Sequence, residues 1–232
     1  MILITRPKDS TKNLEKKLSE LNIRYFTESL SKIKFKIQNF KKYNSKIYLV
    51  SSPRVIDLLI KKRSTYSELK FLIIGTSSAR KMIEAGFKNI LGISENRIKM
   101  LGIIKKLKKI TEIDYLTGTT INKNFCRDIL RLNIILNTHI LYETHYIKNL
   151  SSKCENLFRN KQIKIVLLYS AENANQLIYL IKKSKLENFA THIKFLCLSK
   201  KIAMLLSKAG FISHFTKRPN EVSMISSIKR IH

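Results

Sequence analysis

The 232-residue sequence has few cysteines, few acidic residues and no long apolar run. Its three cysteines (Cys126, Cys154 and Cys197) are far apart, odd in number and without metal-ligand spacing. They argue against a disulfide framework and favour a reducing cytoplasm. No apolar run approaches the roughly 20 residues that cross a bilayer. MILITRP is a poor signal peptide, because four apolar residues are soon followed by a charge.

Several catalytic motifs are also missing. The chain has no GxGxxG motif, no phosphate loop, no serine in a nucleophile-elbow context and no His/Cys/Asp/Glu cluster with metal spacing. Only 16 residues are Asp or Glu, and few follow predicted strands, so paired-carboxylate catalysis is not favoured. His139 and His145 are isolated, which favours structural roles. No metal site is predicted.

The positive charge is large: the formal net charge is +29 and the isoelectric point about 10.1. One interpretation is nucleic-acid binding, in which the basic helix from Lys99 to Ile110, with Lys105, Lys106, Lys108 and Lys109, contacts RNA. The other is genome bias, because Lys, Ile and Asn are abundant together, assisted by an acidic substrate. Lysines are scattered over every segment, which favours bias and a solvated helix face.

Two segments resemble each other. FLIIGTSSARKMIEAGF (71–87) and FLCLSKKIAMLLSKAGF (195–211) each contain an apolar run, a polar turn, a helical stretch and an Ala-Gly-Phe exit. A strand-turn-helix pattern precedes each, at 48–60 and at 166–181. The sequence therefore predicts a duplicated α/β unit, with two similar faces lining a cleft.

Short apolar runs alternate with amphipathic stretches along the whole chain, which predicts an α/β fold with parallel sheets and crossover helices. Strands are predicted near 1–5, 23–28, 47–51, 70–74, 111–116, 133–143, 164–169, 193–197 and 211–215. Helices are predicted near 9–22, 53–63, 77–86, 96–109, 122–132, 151–160, 172–184, 199–209 and 220–230.

Residues 26–37 and 140–150 break this alternation, because they are extended and not bracketed by helices. They predict a two-stranded antiparallel linker between two lobes, with the active site in the cleft between the lobes. Lobe one is then discontinuous, at 1–30 plus 147–232, lobe two is 38–138, and the linker strands are 31–37 and 139–146.

Ligands of parallel α/β sheets bind at the carboxyl ends of the strands, where helix N-termini attract anions. The turns there are rich in small hydroxyl residues. Several such turns facing one cleft suit a ligand with many carboxylates or phosphates, although Ser and Thr at these positions also serve as ordinary helix caps. The candidate residues are Thr5, Arg6, Ser52, Gly75, Thr76, Ser77, Ser78, Gly118, Thr119, Ser170, Ala171, Ser199 and Lys200.

These patterns, taken in order, resemble a known family. ITRP, the VSS turn, IIGTSSA…AGF, LTGT, LYET, LLYSAENA, CLS..IA and RP.E occur in the same order in uroporphyrinogen-III synthases, over about residues 2–228. The CLS..IA variant resembles the alphaproteobacterial branch.

The resemblance implies an enzyme, a cyclising hydro-lyase of haem biosynthesis that needs no metal or organic cofactor. Its substrate, hydroxymethylbilane, is a linear tetrapyrrole with eight carboxylates. It loses water and closes to uroporphyrinogen III with its last ring, ring D, inverted. We expect a monomer, because nothing in the sequence calls for a partner chain, and no nucleic-acid or membrane partner. The substrate would be handed over by hydroxymethylbilane synthase. A basic RNA-binding protein and a two-lobed binding protein without catalysis remain the alternatives.

Residue roles follow from the same resemblance. Tyr142 matches a tyrosine proposed to donate a proton to the departing hydroxyl, although as a residue it also fits a buried aromatic. Ser52 and Ser170 match serines that open helices, and Ser78 replaces a commoner threonine. The chain departs from the family at Ser199–Ala203, where Gly-x-x-Thr-Ala is usual. It departs again after Gly118, where the family often has an arginine. Here the only cation between Thr119 and Asn124 is Lys123.

Overall fold

The computed structural model describes residues 1–36, 47–107 and 110–231. The chain divides into two compact units: unit 1 comprises Met1–Ile33 and His145–His232, and unit 2 comprises Lys34–Thr144. Residue 37 of the predicted linker, the predicted start of lobe two at 38 and the predicted helix end at 108–109 lie outside the described residues.

The elements alternate along the chain. The strands are β1 (Ile2–Ile4), β2 (Tyr25–Thr27), β3 (Ser31–Phe35), β4 (Ile47–Val50), β5 (Lys70–Ile74), β6 (Ile90–Ser94), β7 (Glu112–Gly118), β8 (Ile135–Tyr146), β9 (Ile165–Leu168), β10 (Lys194–Cys197) and β11 (Ser213–Phe215). The helices are α1 (Lys12–Glu20), α2 (Pro53–Lys61), α3 (Arg63–Tyr66), α4 (Thr76–Glu84), α5 (Arg97–Lys106), α6 (Lys123–Leu130), α7 (Ser152–Arg159), α8 (Ala171–Lys183), α9 (Glu187–Ala190), α10 (Lys200–Lys208) and α11 (Glu221–Ile231), with a 3-10 turn at Lys8–Ser10.

Unit 1 is a parallel sheet, in the order β11-β10-β9-β1-β2, covered by helices on both faces. Successive strand residues point to opposite faces. Leu3 and Val166 pack with α7, α8 and α10 on one face, whereas Ile4 and Leu167 pack with α1 and α11 on the other. Burial on both faces explains why these strands are continuous apolar runs.

Unit 2 repeats this plan with the order β8-β7-β4-β5-β6, in which all adjacent strands are parallel. Tyr48 and Phe71 face α2 and α4, and Leu49 and Leu72 face α5 and α6. The order β7-β4-β5-β6 thus matches β1-β9-β10-β11 in unit 1. The parallel, two-unit α/β fold predicted from the alternation is confirmed.

The strand β3 pairs with β8 at the edge of this second sheet. The Lys36 N–H donates to the Leu141 carbonyl, and the Ile147 N–H donates to the Leu30 carbonyl, each at 2.9–3.0 Å. Lys36 follows Leu30 in the chain, whereas its partner Leu141 precedes Ile147. The two strands therefore run antiparallel.

The two similar segments form equivalent structures, β5-α4 and β10-α10. Each closes with a glycine at positive φ, +85° at Gly86 and +87° at Gly210. The phenylalanine after each glycine packs on the phenylalanine at the second position of the strand, with ring centroids 5.7 Å apart for Phe71–Phe87 and 5.1 Å apart for Phe195–Phe211. In the Ala-Gly-Phe exit, the glycine therefore ends the helix and the phenylalanine packs in the hydrophobic core.

The strand β6 and the short helices α3 and α9 are not predicted by the sequence. The strand β6 lies at a sheet edge, with Leu91 and Ile93 exposed and Gly92 directed against Ile103 of α5. A glycine within a short, half-exposed run weakens the strand pattern, and pairing with β5 decides its conformation. Among the described residues, no helix has the length and apolarity to cross a membrane.

Candidate active site

The candidate residues of unit 2 follow adjacent strands. The strands β7, β4 and β5 are neighbours and parallel, so Gly118, Ser52 and Gly75 lie at the same carboxyl edge of the sheet. The helices α2 and α4 begin at this edge, and β8 brings Tyr142 to it through the register partner Gly118. The sheet order therefore gathers residues that are far apart in the sequence.

A hydroxyl pair lies at the centre of this edge. The Oγ of Ser52 is 3.0 Å from the phenol oxygen of Tyr142, and either can donate the hydrogen bond. Ser52 occupies the N-cap position of α2, yet its side chain makes no capping bond. Its hydroxyl is thus bonded to a partner 90 residues away, unlike that of an ordinary helix cap.

Gly118 leaves room for the ring of Tyr142. A Cβ at this position would lie 2.5 Å from Cε2 of that ring and still closer to Cζ, well inside van der Waals contact. The next residue, Thr119, donates its backbone N–H to the Tyr142 carbonyl at 3.2 Å, and its side chain is exposed. A residue with a side chain at 118 would displace the phenol from Ser52.

The Gly75 turn has a different geometry. Gly75 adopts a φ of +110° at the N-cap of α4 and donates its N–H to the Ser94 carbonyl at 2.7 Å. No side chain caps the helix. Thr76 and Ser77 are exposed, whereas Ser78 is buried against the turn. The exposed hydroxyls and the N-terminus of α4 can donate hydrogen bonds to an anion.

Two residues that sequence reasoning missed flank Tyr142. The guanidinium carbon of Arg54, in the first turn of α2, lies 5.6 Å from the centre of the Tyr142 ring. Phe35 packs edge-on against the same ring, at 6.3 Å between centroids. Arg54 lies two residues after Ser52, in the first turn of the helix, and this position was the signal that could have identified it.

In unit 1, the turn after β1 is bonded internally. Thr5 is fully buried, and its Oγ1 donates to the Leu167 carbonyl at 2.7 Å. Arg6 donates to Glu221 Oε2 at 2.8 Å, and its guanidinium carbon lies 4.4 Å from the centre of the Tyr169 ring. Sequence reasoning missed the Glu221 and Tyr169 contacts, which join residues distant in the chain.

The phenol of Tyr169 is the exceptional group of this turn. Its oxygen is buried and has no hydrogen-bond partner among the described residues. Burial raises the pKa of Tyr169 to about 12, and the nearby Arg6 guanidinium opposes this rise only in part. Tyr169 is therefore a neutral phenol at physiological pH.

The two remaining turns of unit 1 differ from each other. The Oγ of Ser170 accepts the Asn173 N–H at 3.1 Å, so Ser170 caps α8, which begins at Ala171. Ser199 occupies the N-cap of α10 without a capping bond, and Lys200 is exposed. The structure gathers Thr5, Ser170 and Ser199 at one carboxyl edge, because β1, β9 and β10 are adjacent.

Groups elsewhere in the described part of the chain do not form a metal site. His139 Nε2 lies 3.1 Å from Oδ1 of the buried Asp114, so this histidine has a structural partner. Over residues 1–36, 47–107 and 110–231, no group of three or more His, Cys, Asp or Glu side chains could hold a metal ion.

Comparisons with known proteins identify one family. The model of the family described as uroporphyrinogen-III synthase HemD matches residues 12–226. The structure of uroporphyrinogen-III synthetase from Helicobacter pylori 26695 is similar to this chain, with a TM-score of 0.68 and 13% identity, and the match covers 100% of this chain and 99% of that one. A mutant uroporphyrinogen III synthase from the extremely thermophilic bacterium Thermus thermophilus gives a TM-score of 0.64 at 11% identity, covering 99% and 97%.

These structural likenesses show the fold, and the family match identifies the chemistry. No curated protein sequence matches the chain significantly. None of the comparisons supports the RNA-binding alternative.

Proposed function

The chain belongs to the uroporphyrinogen-III synthase family, whose members are cyclising lyases of tetrapyrrole biosynthesis, and we propose which of its residues act on the substrate. We assign the proton-donating role to Tyr142. The observation that supports this assignment is the Ser52–Tyr142 hydroxyl pair, with an oxygen–oxygen distance of 3.0 Å, at the carboxyl edge of the unit 2 sheet.

The proposed first step is a proton transfer with loss of water. The phenol of Tyr142 gives its proton to the departing hydroxyl of hydroxymethylbilane, the C–O bond breaks, and a cationic azafulvene remains. The Ser52 hydroxyl then donates a hydrogen bond to the phenolate oxygen. A phenol is a weak acid that carries its proton in neutral water, so it serves as an acid or hydrogen-bond donor rather than as a base.

The proposed second contribution is geometric. The substituted carbon of the last ring attacks the azafulvene to give a spiro intermediate, which fragments and recloses with ring D inverted. The proton that the ring then loses returns to the phenolate oxygen and restores the neutral phenol of Tyr142. Because the bilane also closes spontaneously without inversion, the enzyme must mainly hold its geometry, a form of orientation catalysis.

Carboxylate binding by the strand-end turns would hold that geometry. We assign this role to two sets of residues. The set in unit 2 is Ser52, Gly75, Thr76, Ser77, Ser78, Gly118 and Thr119. The set in unit 1 is Arg6, Ser170, Ala171, Ser199 and Lys200. Thr5 was also predicted to bind substrate, but its buried hydroxyl donates to the Leu167 carbonyl and supports the turn instead. Support comes from the exposed hydroxyls at 76, 77 and 119 and from the helix N-termini at 76 and 200.

The finer cellular setting is part of the same proposal. We propose a cytoplasmic monomer that needs no cofactor and takes its labile substrate from the synthase that makes hydroxymethylbilane. The predicted division into lobes, with linker strands at 31–37 and 139–146, is also kept as a proposal. Size-exclusion chromatography with light scattering tests the monomer, and a co-elution experiment with hydroxymethylbilane synthase tests the transfer.

The experiment on Tyr142 separates binding from turnover. With hydroxymethylbilane as substrate and isomer analysis after oxidation, Tyr142→Phe should lower kcat about tenfold with KM nearly unchanged. This is less than the roughly 10²–10⁴-fold typical of general acids, because the hydroxyl leaves readily. Tyr115→Phe is the matched control, since it removes a neighbouring Tyr–Ser bond, that of Tyr115 to Ser51 at 2.6 Å.

Two outcomes would contradict the proposal. Wild-type protein that yields only isomer I at the spontaneous rate would overturn the activity itself. Equal turnover by Tyr142→Phe and wild type would remove Tyr142 from the mechanism and leave the carboxylate-binding turns to be tested separately.

A further inference from the structure

We propose that Arg54 binds a carboxylate of the substrate beside the Ser52–Tyr142 hydroxyl pair and thereby fixes the ring that loses its hydroxyl. This inference rests on the proposed function and adds a positioning residue to it. Arg54 does not itself transfer a proton.

The first support is the placement of Arg54. It lies two residues after Ser52, in the first turn of α2, and it is partly buried. The centre of the Tyr142 ring is 5.6 Å from its guanidinium carbon. A cation–π contact of this kind restrains a guanidinium beside the ring while its N–H groups remain available to a ligand. Those donors therefore stay next to the reacting hydroxyls.

The second support is the absence of an internal acceptor among the described residues. No carboxylate or carbonyl in that part of the chain accepts a hydrogen bond from the Arg54 guanidinium. The acid three residues along the same helix, Asp57, lies 3.6 Å from Lys81 Nζ. A partly buried guanidinium without a hydrogen-bond acceptor is costly unless an anion or water completes its hydrogen bonds.

The third support is an internal comparison. The molecule contains a second arginine over a tyrosine at a strand-end turn, Arg6 over Tyr169 at 4.4 Å, and there the guanidinium binds a carboxylate of the chain itself, Glu221, at 2.8 Å. The Arg54–Tyr142 contact likewise joins an arginine and a tyrosine, but no carboxylate among the described residues binds its guanidinium. A carboxylate of the substrate completes the set.

The chemistry of the ligand fits these donors. The guanidinium fork matches a carboxylate in a bidentate manner, and such charge-assisted bonds are stronger than neutral ones. A substrate that carries carboxylates on every ring can place one at Arg54 while its terminal hydroxyl reaches Tyr142. Arg54 then holds the ring that bears this hydroxyl beside the acid.

The test compares Arg54→Gln, Arg54→Lys and wild type with hydroxymethylbilane as substrate. Arg54→Gln should raise KM about tenfold, because a charge-assisted bond is lost, and should leave kcat within about threefold. Arg54→Lys should recover part of the loss, since it keeps the charge but not the fork. Arg131→Gln is the control, because it removes an equal charge at an exposed pair with Asp128.

A second measurement does not need turnover. Titration of each protein with uroporphyrin III, which carries eight carboxylates, should show about tenfold weaker binding for Arg54→Gln and no change for Arg131→Gln. Circular dichroism checks the fold, and if Arg54→Gln does not fold, Arg54→Lys decides by the same two readouts.

The outcomes separate this inference from the proposed function. Wild type that makes no isomer III overturns the proposed function. Active wild type with unchanged KM and binding in Arg54→Gln overturns this inference alone. A loss confined to kcat also overturns it, because Arg54 would then act through Tyr142 and not through a carboxylate.

Discussion

The sheets of units 1 and 2 share one strand order but end in different turns. The order β1-β9-β10-β11 in unit 1 matches β7-β4-β5-β6 in unit 2, and both units contain an Ala-Gly-Phe exit. At the carboxyl edge of unit 1, Thr5, Ser170 and Arg6 are bonded within the unit. In unit 2, Ser52 caps no helix and bonds to a phenol instead.

The difference teaches that the framework and the reactive edge are under separate physical control. Buried apolar strand residues stabilise the framework, and the strands of both units contain fully buried apolar residues. The polar turns at the strand ends contribute little to that core, so they can differ without changing the fold. Three changes can test or refine the comparison.

Gly118→Ala should have the largest effect. The new Cβ would collide with the Tyr142 ring, so the ring must move away from Ser52. Overpacking of this kind costs about 1–3 kcal/mol, and turnover should fall at least about tenfold, as in Tyr142→Phe. Gly102→Ala is the control, because nothing lies within 4 Å of its Cβ; it should stabilise α5 by about 0.5–1 kcal/mol. Wild-type turnover in Gly118→Ala would contradict the proposed role of the phenol.

Gly86→Ala and Gly210→Ala compare the two Ala-Gly-Phe exits. Both glycines have positive φ, with values of +85° and +87°, where an alanine costs about 1–2 kcal/mol. At Gly86 the Cβ would also lie 2.6 Å from Arg63 Nη2, whereas at Gly210 nothing lies within 4 Å. Urea unfolding should therefore show the greater loss for Gly86→Ala, by less than about 1 kcal/mol because the end of the arginine can shift. The reverse order would show that the two exits are not equivalent.

Alkaline pH should destabilise unit 1 gradually, over several pH units. Burial raises the pKa of Cys197 from 9.0 to about 12 and that of Tyr169 from 10.0 to about 12. A group whose pKa is higher in the folded than in the unfolded protein stabilises the fold at pH values below its unfolded pKa. This contribution to stability is lost as the pH rises toward 12. The loss is at most about 1.4 kcal/mol per pH unit for each group.

Urea unfolding at pH 8, 9 and 10 measures this loss. Thiol labelling assigns it to a unit, because the buried Cys154 and Cys197 lie in unit 1 and the partly buried Cys126 lies in unit 2. Cys197→Ala should show a shallower pH dependence. If that variant and wild type had the same slope, the thiol would not contribute.

Much of the fold could be predicted from the sequence because its signals are local. The apolar runs of β9 and β10 and the spacing of Leu14 and Leu18 in α1 depend only on nearby residues. The prediction was incomplete at β6, where Gly92 interrupts the run and only pairing with β5 supplies the strand. The candidate residues of the turns were found because they follow strands, a position that the alternation marks. Tyr142 lies inside β8, and its role was predicted from the family resemblance.

The sequence alone determined the alternation of strands and helices, the repeated exits at Gly86 and Gly210, and the polar turns after the strands. Only the tertiary structure decided which of these turns meet and which side chains complete them. Ser52 reaches Tyr142 across 90 positions, and Arg6 reaches Glu221 across 215. The reason is physical: periodicity reflects interactions between close neighbours in the chain, whereas a contact between distant residues exists only once the sheet order has placed their strands side by side.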